Sequence, residues 1–435
     1  MLNQVNIKLN NFGPIANADI DIGKINIIGG HNSTGKSTCS KILYSLLRAN
    51  SKSRKFISET SLVPEVLQLT LFLANFTNSA LDDDEDVDKV REDIKEILDE
   101  MTDKLEDNVR PDKFGILEYY NNVNKIYRNL KIKEDYKNII DTSFSNVQKL
   151  VDIYNEDGDE LFKSLMNQLT KNEFGKNTKE LQSVRFSGKF NDKSFDYKLN
   201  ICNSNFDIDG WFIVDEVFYF DSFSVFDLVS KGGSNHTEHI THIKVSLDDD
   251  ESSDWGDEIL NDKLIEIENN IMDITGGRFV KDDKNVMFIS DEKEFLMKNT
   301  SSGIKQLGII QMLLDNRKLT ENSFLIIDEP EVNLHPEWQF KLAEILVILA
   351  KDLNINIYIN THSPMFIEAM EVFTRYYNLE DETNFYLTES VDGGKFNFVK
   401  YDYDNLYEIY DDLAKPFDAI EVYRLKAEYR KENVD

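Results

Sequence analysis

Gly30-His31-Asn32-Ser33-Thr34-Gly35-Lys36-Ser37 has the spacing G-x-x-x-x-G-K-[ST]. Glycines at both ends let backbone N–H groups turn inward around a phosphate. A helix starting at the lysine points its positive end at the same anion. Lys36 then reaches the β- and γ-phosphates, and the Ser37 hydroxyl can ligate Mg²⁺. Asn32, Ser33 and Thr34 line the loop, and Thr38 opens the helix behind it. A glycine turn carrying a coincidental lysine is the bland alternative. The apolar Ile25, Ile27 and Ile28 before the loop, and the helical pattern after it, argue for the phosphate site.

A second group lies far along the chain. Phe324-Leu325-Ile326-Ile327 reads as a buried strand from which Asp328 and Glu329 emerge. In open parallel sheets ligands gather at the carboxyl ends of strands. Asp328 therefore suits a Mg²⁺ partner, and Glu329 a general base that polarises an attacking water. Ile355–Ile359 is a further apolar strand, ending at Asn360-Thr361-His362. A lone histidine is usually structural, but one at a strand mouth beside a carboxylate strand is less ordinary. Ser301-Ser302-Gly303 precedes the apolar helix Leu307–Leu314, where a serine N-cap alone would account for it.

The elements that must position these groups follow from the patterning. Val5, Ile7 and Leu9 alternate with polar residues and Ile25, Ile27 and Ile28 lead into the glycine turn, so two strands and then a helix from about Lys36 are expected. Residues 1–50 form the first part of a head. Residues 51–180 are charged, glycine-poor and helical in period, with Val87, Val90, Ile94, Ile97 and Met101 as a short seam of a bundled helix. Beta patterning returns over 181–254, including Trp211–Val214 and Val217–Phe220. Leu260, Leu264, Ile267, Ile271 and Ile274 make a helical arm over 255–278, capped at Gly276-Gly277. Residues 279–400 alternate strands and helices and end in a hairpin around Asp392-Gly393-Gly394, with helices expected over 401–435.

The chain has 435 residues and a formal charge of −31, with 41% hydrophobic residues, enough for a sizeable core. That charge disfavours a global grip on nucleic acid, although Lys163–Lys198 is locally basic. The longest apolar run, Ile345–Ala350, is far too short to span a bilayer. The opening residues lack a basic start followed by an apolar block, so no secretory signal is expected. Two cysteines, Cys39 and Cys202, suit a reducing cytoplasm. His236, His239 and His242 recur every third residue, which suggests either a metal site or a surface loop before a strand at Ile243–Leu247, the loop being favoured.

The order of motifs resembles an ABC-type ATPase head: phosphate loop, Ser302-Gly303 signature, Asp328-Glu329 strand, Asn333-Leu334-His335-Pro336 turn, His362 switch. It resembles more closely the OLD, RecF and SMC side of that class, the AAA-family ATPases of phage defence. Asp328-Glu329-Pro330-Glu331-Val332-Asn333-Leu334-His335-Pro336 and Thr361-His362-Ser363-Pro364 look like OLD-type ATPases. Asn11-Phe12-Gly13-Pro14-Ile15 is similar to their opening strand and loop. The resemblance covers residues 1–50 and 285–375, and the glutamine of a Q-loop finds no place. It implies an α/β fold, a P-loop NTPase of ABC-ATPase head type with a mainly helical insertion, using ATP and Mg²⁺. It further implies a head-to-tail homodimer, in which Ser302 and Gly303 of one subunit close on the γ-phosphate held by the other. His362 would contact that phosphate or the attacking water, and Asn333 to His335 would cross the seam.

OLD nucleases add a Toprim domain. The residues after His362 read instead as a hairpin and short helices, with Asp402 and Asp404 as surface acids, so no cutting activity is expected of this chain. The favoured reading is the regulatory ATPase subunit of an anti-phage system of PARIS or Septu type, controlling a separately encoded nuclease or toxin through its helical surfaces. A RecF- or SMC-like DNA-repair ATPase is the alternative. A transporter ATPase is disfavoured, because no membrane-coupling feature is visible.

Overall fold

The computed structural model describes residues 5–57, 66–74, 87–106, 113–130, 158–175, 181–190, 193–209, 214–221, 237–248, 258–282, 285–290, 293–321 and 323–432, with scattered residues between 132 and 151. The chain divides into two compact units, residues 1–51 with 166–435, and residues 52–165.

The larger unit is a mixed α/β head built on one 11-stranded sheet. Its strands are β1 (Val5–Phe12), β2 (Ile15–Ile22), β3 (Ile25–Gly29), β4 (Leu181–Phe190), β5 (Lys193–Asn200), β6 (Asn205–Asp209), β7 (Val217–Phe220), β11 (Phe324–Asp328), β12 (Asn356–Thr361), β13 (Thr383–Val391) and β14 (Lys395–Tyr401). They run in the order β6-β5-β4-β1-β2-β14-β13-β3-β12-β11-β7. From β13 through β3, β12 and β11 to β7 every neighbouring pair is parallel. β3, β7, β11 and β12 are buried along their whole length and mostly apolar, as a sheet covered on both faces requires. Their carboxyl ends converge on one edge, where the motif residues sit. The other wing, β1, β2, β4, β5 and β6, is antiparallel throughout. A separate three-stranded sheet is formed by β8 (Arg278–Asp282), β9 (Asn285–Ser290) and β10 (Lys293–Leu296).

Helices with defined bounds among the described residues are α1 (Lys36–Ile57), α2 (Val87–Glu106), α3 (Lys113–Asn129), α4 (Gly158–Phe174), α5 (Glu238–Asp248), α6 (Glu258–Thr275), α7 (Ser302–Asp315), α8 (Pro336–Asp352), α9 (Pro364–Tyr376) and α10 (Tyr407–Glu432), and residues 66–74 and 140–145 are helical as well. Ile27, Ile327 and Ile359 of the sheet share one core cluster with Leu346 of α8, Phe366 of α9 and Ile409 of α10. In the smaller unit, Ile94 of α2, Tyr120 and Val123 of α3 and Phe144 form a second cluster, against which Val90 and Ile97 are partly buried. The short seam thus belongs to a packed bundle.

Several expectations are corrected. The first fifty residues hold three strands rather than two. β2 escapes notice because its buried residues, Ile15, Ala18, Ile20 and Ile22, break alternation after Ile15. Residues 238–248, expected as a loop and a strand, are the helix α5: Ile240, Ile243 and Leu247 are buried while Val245 is 58% exposed, which is a helical period. On α6, expected as an arm, Ile267 and Ile271 lie in the core of the larger unit, while the side chains of Leu260, Leu264 and Ile274 lie outside the described ones. Beyond the hairpin a one-turn 3-10 helix at Tyr403–Asn405 and one long helix, α10, with Pro416 inside it, stand where two short helices were expected. Asp402 and Asp404 are exposed as expected. Trp211–Ile213, His236 and most of the acidic stretches at residues 82–88 and 248–254 lie outside the described residues. No described helix is long and apolar enough to cross a membrane.

Candidate nucleotide site

The phosphate loop joins the end of β3 to α1. Three of its residues have positive φ: Gly30 (153°), Ser33 (63°) and Gly35 (100°). A Cβ on Gly30 would collide with the Thr388 hydroxyl, and one on Gly35 would sit 2.7 Å from Ile15 Cγ1, so both glycines are demanded by space as well as by φ. Thr388 Oγ1 donates to Thr34 Oγ1 at 2.9 Å, and Thr34 Oγ1 donates to the His31 carbonyl at 3.0 Å, which pins the loop to β13. His31 Nε2 lies 3.2 Å from Asp412 Oδ2 of α10. Lys36 is 5% exposed and donates to the Gly30 and His31 carbonyls at 2.7 and 2.6 Å. Burial holds its pKa below the usual lysine value, against the pull of Glu329, Asp328 and Glu331. Asn32, Ser33 and Ser37 are exposed, and Thr38 is half-buried in the first turn of α1.

Asp328 ends β11 opposite Asn360, the last residue but one of the adjacent parallel β12. It is 3% exposed. Oδ1 accepts from Ser40 Oγ at 2.7 Å and Asn360 Nδ2 at 2.6 Å, and Oδ2 accepts from Tyr219 O–H at 2.9 Å. Burial raises its pKa, opposed by hydrogen bonds from Ser40, Ser37, Tyr219 and Asn360. A buried carboxylate in contact with an exposed Ser37 hydroxyl is an all-oxygen pair that suits a hard cation, and Mg²⁺ there would offset the buried charge. No group of three or more His, Cys, Asp or Glu side chains is assembled for a metal among the described residues. A phosphate-loop Mg²⁺ needs none, since substrate oxygens and water complete its shell.

Glu329 follows with φ of 53°. A left-handed turn costs a glutamate roughly 1 kcal/mol. Here it is held by Glu329 N–H donating to Asn360 O at 2.8 Å and by Val332 N–H donating back to Glu329 O at 3.0 Å. The side chain is 41% exposed, and its Oε1 lies 3.8 Å from His362 Nδ1. The structure therefore brings Lys36, Ser37, Asp328, Glu329 and His362 to one sheet edge. Ser302 and Gly303 open α7, where Ser301, not Ser302, is the N-cap and accepts from Ile304 N–H. No described contact joins that turn to the phosphate loop. His335, expected at a subunit seam, caps α8 locally by accepting from Glu337 N–H at 3.3 Å.

Sequence reasoning missed Ser40, Tyr219, Asn360 and Glu331. The signal for Asn360 was available: two apolar strands each end in a polar residue. Of the serial histidines, His239 and His242 lie against carboxylates, burial pushing the His242 pKa down to about 4, and His236 lies outside the described residues. His239, 1% exposed, has Nδ1 2.9 Å from Glu173 Oε2 and Nε2 3.3 Å from Asp221 Oδ2, whereas His242 Nε2 lies 3.1 Å from Glu216 Oε2. Burial alone would lower the His239 pKa, but Asp221 and Glu173 raise it to about 9. A raised histidine pKa contributes stability that is full below about 6.5 and is lost as pH rises through about 9. His239→Gln should therefore cost about 3 kcal/mol near pH 6, by stranding the Glu173 charge. Thermal melts across pH should show the gap closing above pH 9. A pH-independent gap would mean that His239 is neutral.

The locally basic stretch is also engaged. Arg185 makes a two-point contact with Asp196 at 2.8 and 2.9 Å, and Lys198 lies 3.5 and 3.4 Å from Asp196 and Asp207.

Residues 1–367 match the family model described as AAA ATPase domain. Among solved structures, the SMC head domain from Thermotoga maritima is 10% identical, with a TM-score of 0.40 over 92% of this chain and 100% of that one. The Smc head bound to the C-winged helix domain of ScpA is 8% identical, with a TM-score of 0.44 over 93% of this chain and 98% of that one. A Pyrococcus furiosus Smc head with an extended coiled coil, bound to the C-terminal domain of ScpA, is 9% identical, with a TM-score of 0.35 over 94% and 98%. No curated protein matches in sequence. With the family model covering the phosphate loop, the Asp328-Glu329 strand end and the His362 loop, the chain belongs to the AAA ATPase domain family.

Proposed function

We propose that this ATPase-domain protein binds ATP with Mg²⁺ at Gly30–Thr38, hydrolyses it with Glu329 as general base, and uses the ATP-dependent closure of two heads to control a separately encoded effector in an anti-phage system. The observation that carries the hydrolytic part is the single sheet edge shared by Lys36, Asp328, Glu329 and His362. Mg²⁺ held by Ser37 and Asp328 would neutralise charge on the phosphates. Lys36 binds them, Glu329 takes a proton from water, and His362 stands beside Glu329 to contact the γ-phosphate or that water. Support for the regulatory part is the OLD-like run Asp328–Pro336. With Ile267 and Ile271 of α6 in the core, the helices of residues 52–165 are a surface that could hold an effector.

A RecF- or SMC-like DNA-binding ATPase fits the same nucleotide site, which contains nothing peculiar to defence. One comparison separates the two. The chain is produced alone and together with its neighbouring gene product, then tested for complex formation, toxicity, phage protection and salt-dependent DNA binding. A nucleotide-sensitive complex, with protection only when both are present, is the expected result. Tight DNA binding by the chain alone, weakening steeply with salt, would establish the second reading instead.

A further inference from the structure

Glu331 lies two residues past Glu329, and phosphate chemistry alone does not require it. It is 6% exposed. Its Oε1 accepts the Thr361 O–H at 2.7 Å, the His362 N–H at 2.8 Å and the Ser363 N–H at 3.1 Å. Donors from consecutive residues thus converge on one oxygen, and two of them are main-chain groups. The carboxylate therefore grips the backbone of the histidine loop, not only a side chain. The same oxygen is 3.3 Å from His362 Nδ1. Beyond Ser363 the path is anchored again: its Oγ donates to Gln339 Oε1 at 3.0 Å and accepts from Phe366 N–H at 3.2 Å, capping α9.

A purely structural role is the first alternative, since N–H groups leaving a strand need acceptors. A neutral side chain could serve that need. Glu331 instead buries a second oxygen, Oε2, which accepts no hydrogen bond among the described residues. A half-satisfied buried carboxylate is costly, so its presence here calls for a use of the side chain's reach. The geometry supplies one. Glu329 N–H to Asn360 O is the last main-chain bond between the ends of β11 and β12. Past it, Glu331 spans from the turn after Glu329 to the loop that carries His362.

We propose that Glu331 is a positioning residue that locks the His362 loop to the Glu329 turn, so that the base and the histidine keep one fixed spacing. This rests on the reading of Glu329 and His362 as the hydrolytic pair. Cutting the lock frees the His362 main chain, and misplacement of about 1 Å can cost roughly 100-fold in rate.

The test measures kcat, KM for ATP and nucleotide Kd for Glu331→Ala, Glu331→Gln and Glu331→Asp, each with His362 intact and with His362→Ala. Expected for Glu331→Ala is a fall in kcat of roughly 30- to 100-fold with Kd nearly unchanged. Glu331→Gln keeps an acceptor oxygen at the same reach and should recover to within about 5-fold, whereas the shorter Glu331→Asp should not. In the His362→Ala background, Glu331→Ala should add nothing, the mark of a residue acting through another. Unchanged kcat in Glu331→Ala, matching losses in kcat and ATP affinity, or an additive loss with His362→Ala would each overturn the proposal. If Glu331→Ala does not fold, the order of the Gln and Asp variants decides, and Asp at or above Gln overturns it. Wild-type protein without hydrolysis, or His362→Ala with wild-type kcat, would bring down the underlying reading, and this inference with it.

Discussion

Glu329→Gln is expected to bind ATP as tightly as the wild type and to hydrolyse it about 10²- to 10⁴-fold more slowly, the usual worth of a positioned general base. The amide matches the carboxylate in size and keeps the left-handed turn, so only the proton acceptor is lost. Glu329 is also 41% exposed, which leaves the core untouched by the change. Lys36→Ala should fail one step earlier. Its ammonium is buried against the Gly30 and His31 carbonyls, ready to be drawn onto phosphate. Charge-assisted hydrogen bonds of this kind are worth about 2–3 kcal/mol, so ATP affinity should drop roughly 30- to 150-fold. Nucleotide titration and steady-state phosphate release on both variants give the comparison. Near-wild-type turnover by Glu329→Gln would strip it of the base role, and near-wild-type ATP affinity in Lys36→Ala would move the phosphate clamp elsewhere.

The difference between those two variants reflects how the site is built. Lys36 is addressed from its own loop, by residues within six positions of it. Asp328 and Glu329 are addressed from β12 and α1, through Asn360 and Ser40. That division also explains which parts were legible in the sequence. The phosphate loop declares itself because its glycines, lysine and serine are contiguous and each has a local reason for its place. Asp328, Glu329 and His362 are legible as polar residues that end apolar strands. Tyr219 and Ser40 are not, because only the order β12-β11-β7 and the packing of α1 bring their hydroxyls to one carboxylate. The wing strand β2 was hidden by alanine and by a lapse in alternation. In α5 the apolar residues Ile243, Val245 and Leu247 fit a strand, and only burial of Ile240 with exposure of Val245 shows the helical face. The positive φ of Glu329 has no signature at all, since strand-end glutamates seldom adopt it. It is a strain that tertiary contacts maintain at the place where the base is needed.

The second large effect concerns Ser302. α7 begins at Ser302, and its cap is already supplied by Ser301, so the helix does not need Ser302 for that purpose. A helix N-terminus carries a positive partial charge that favours phosphate. If that charge is offered to the nucleotide of a second subunit, Ser302→Arg should leave ATP binding by each head nearly intact and abolish closure and hydrolysis. Mixing Ser302→Arg with Lys36→Ala then becomes decisive. In a head-to-tail pair, the Ser302→Arg subunit contributes an intact phosphate loop and the Lys36→Ala subunit an intact signature. Each mixed dimer thus holds one complete site and one doubly broken site. With random pairing, about half the dimers are mixed, so at ATP too dilute to load Lys36→Ala, hydrolysis should return to about a quarter of wild type from two stocks that are nearly inactive alone. Mass measurement verifies the mixed dimers, and phosphate release reads the outcome. No recovery in verified mixed dimers would favour a site confined to one subunit, or two sites that fire only together. Wild-type hydrolysis by Ser302→Arg alone would remove the signature from the chemistry altogether.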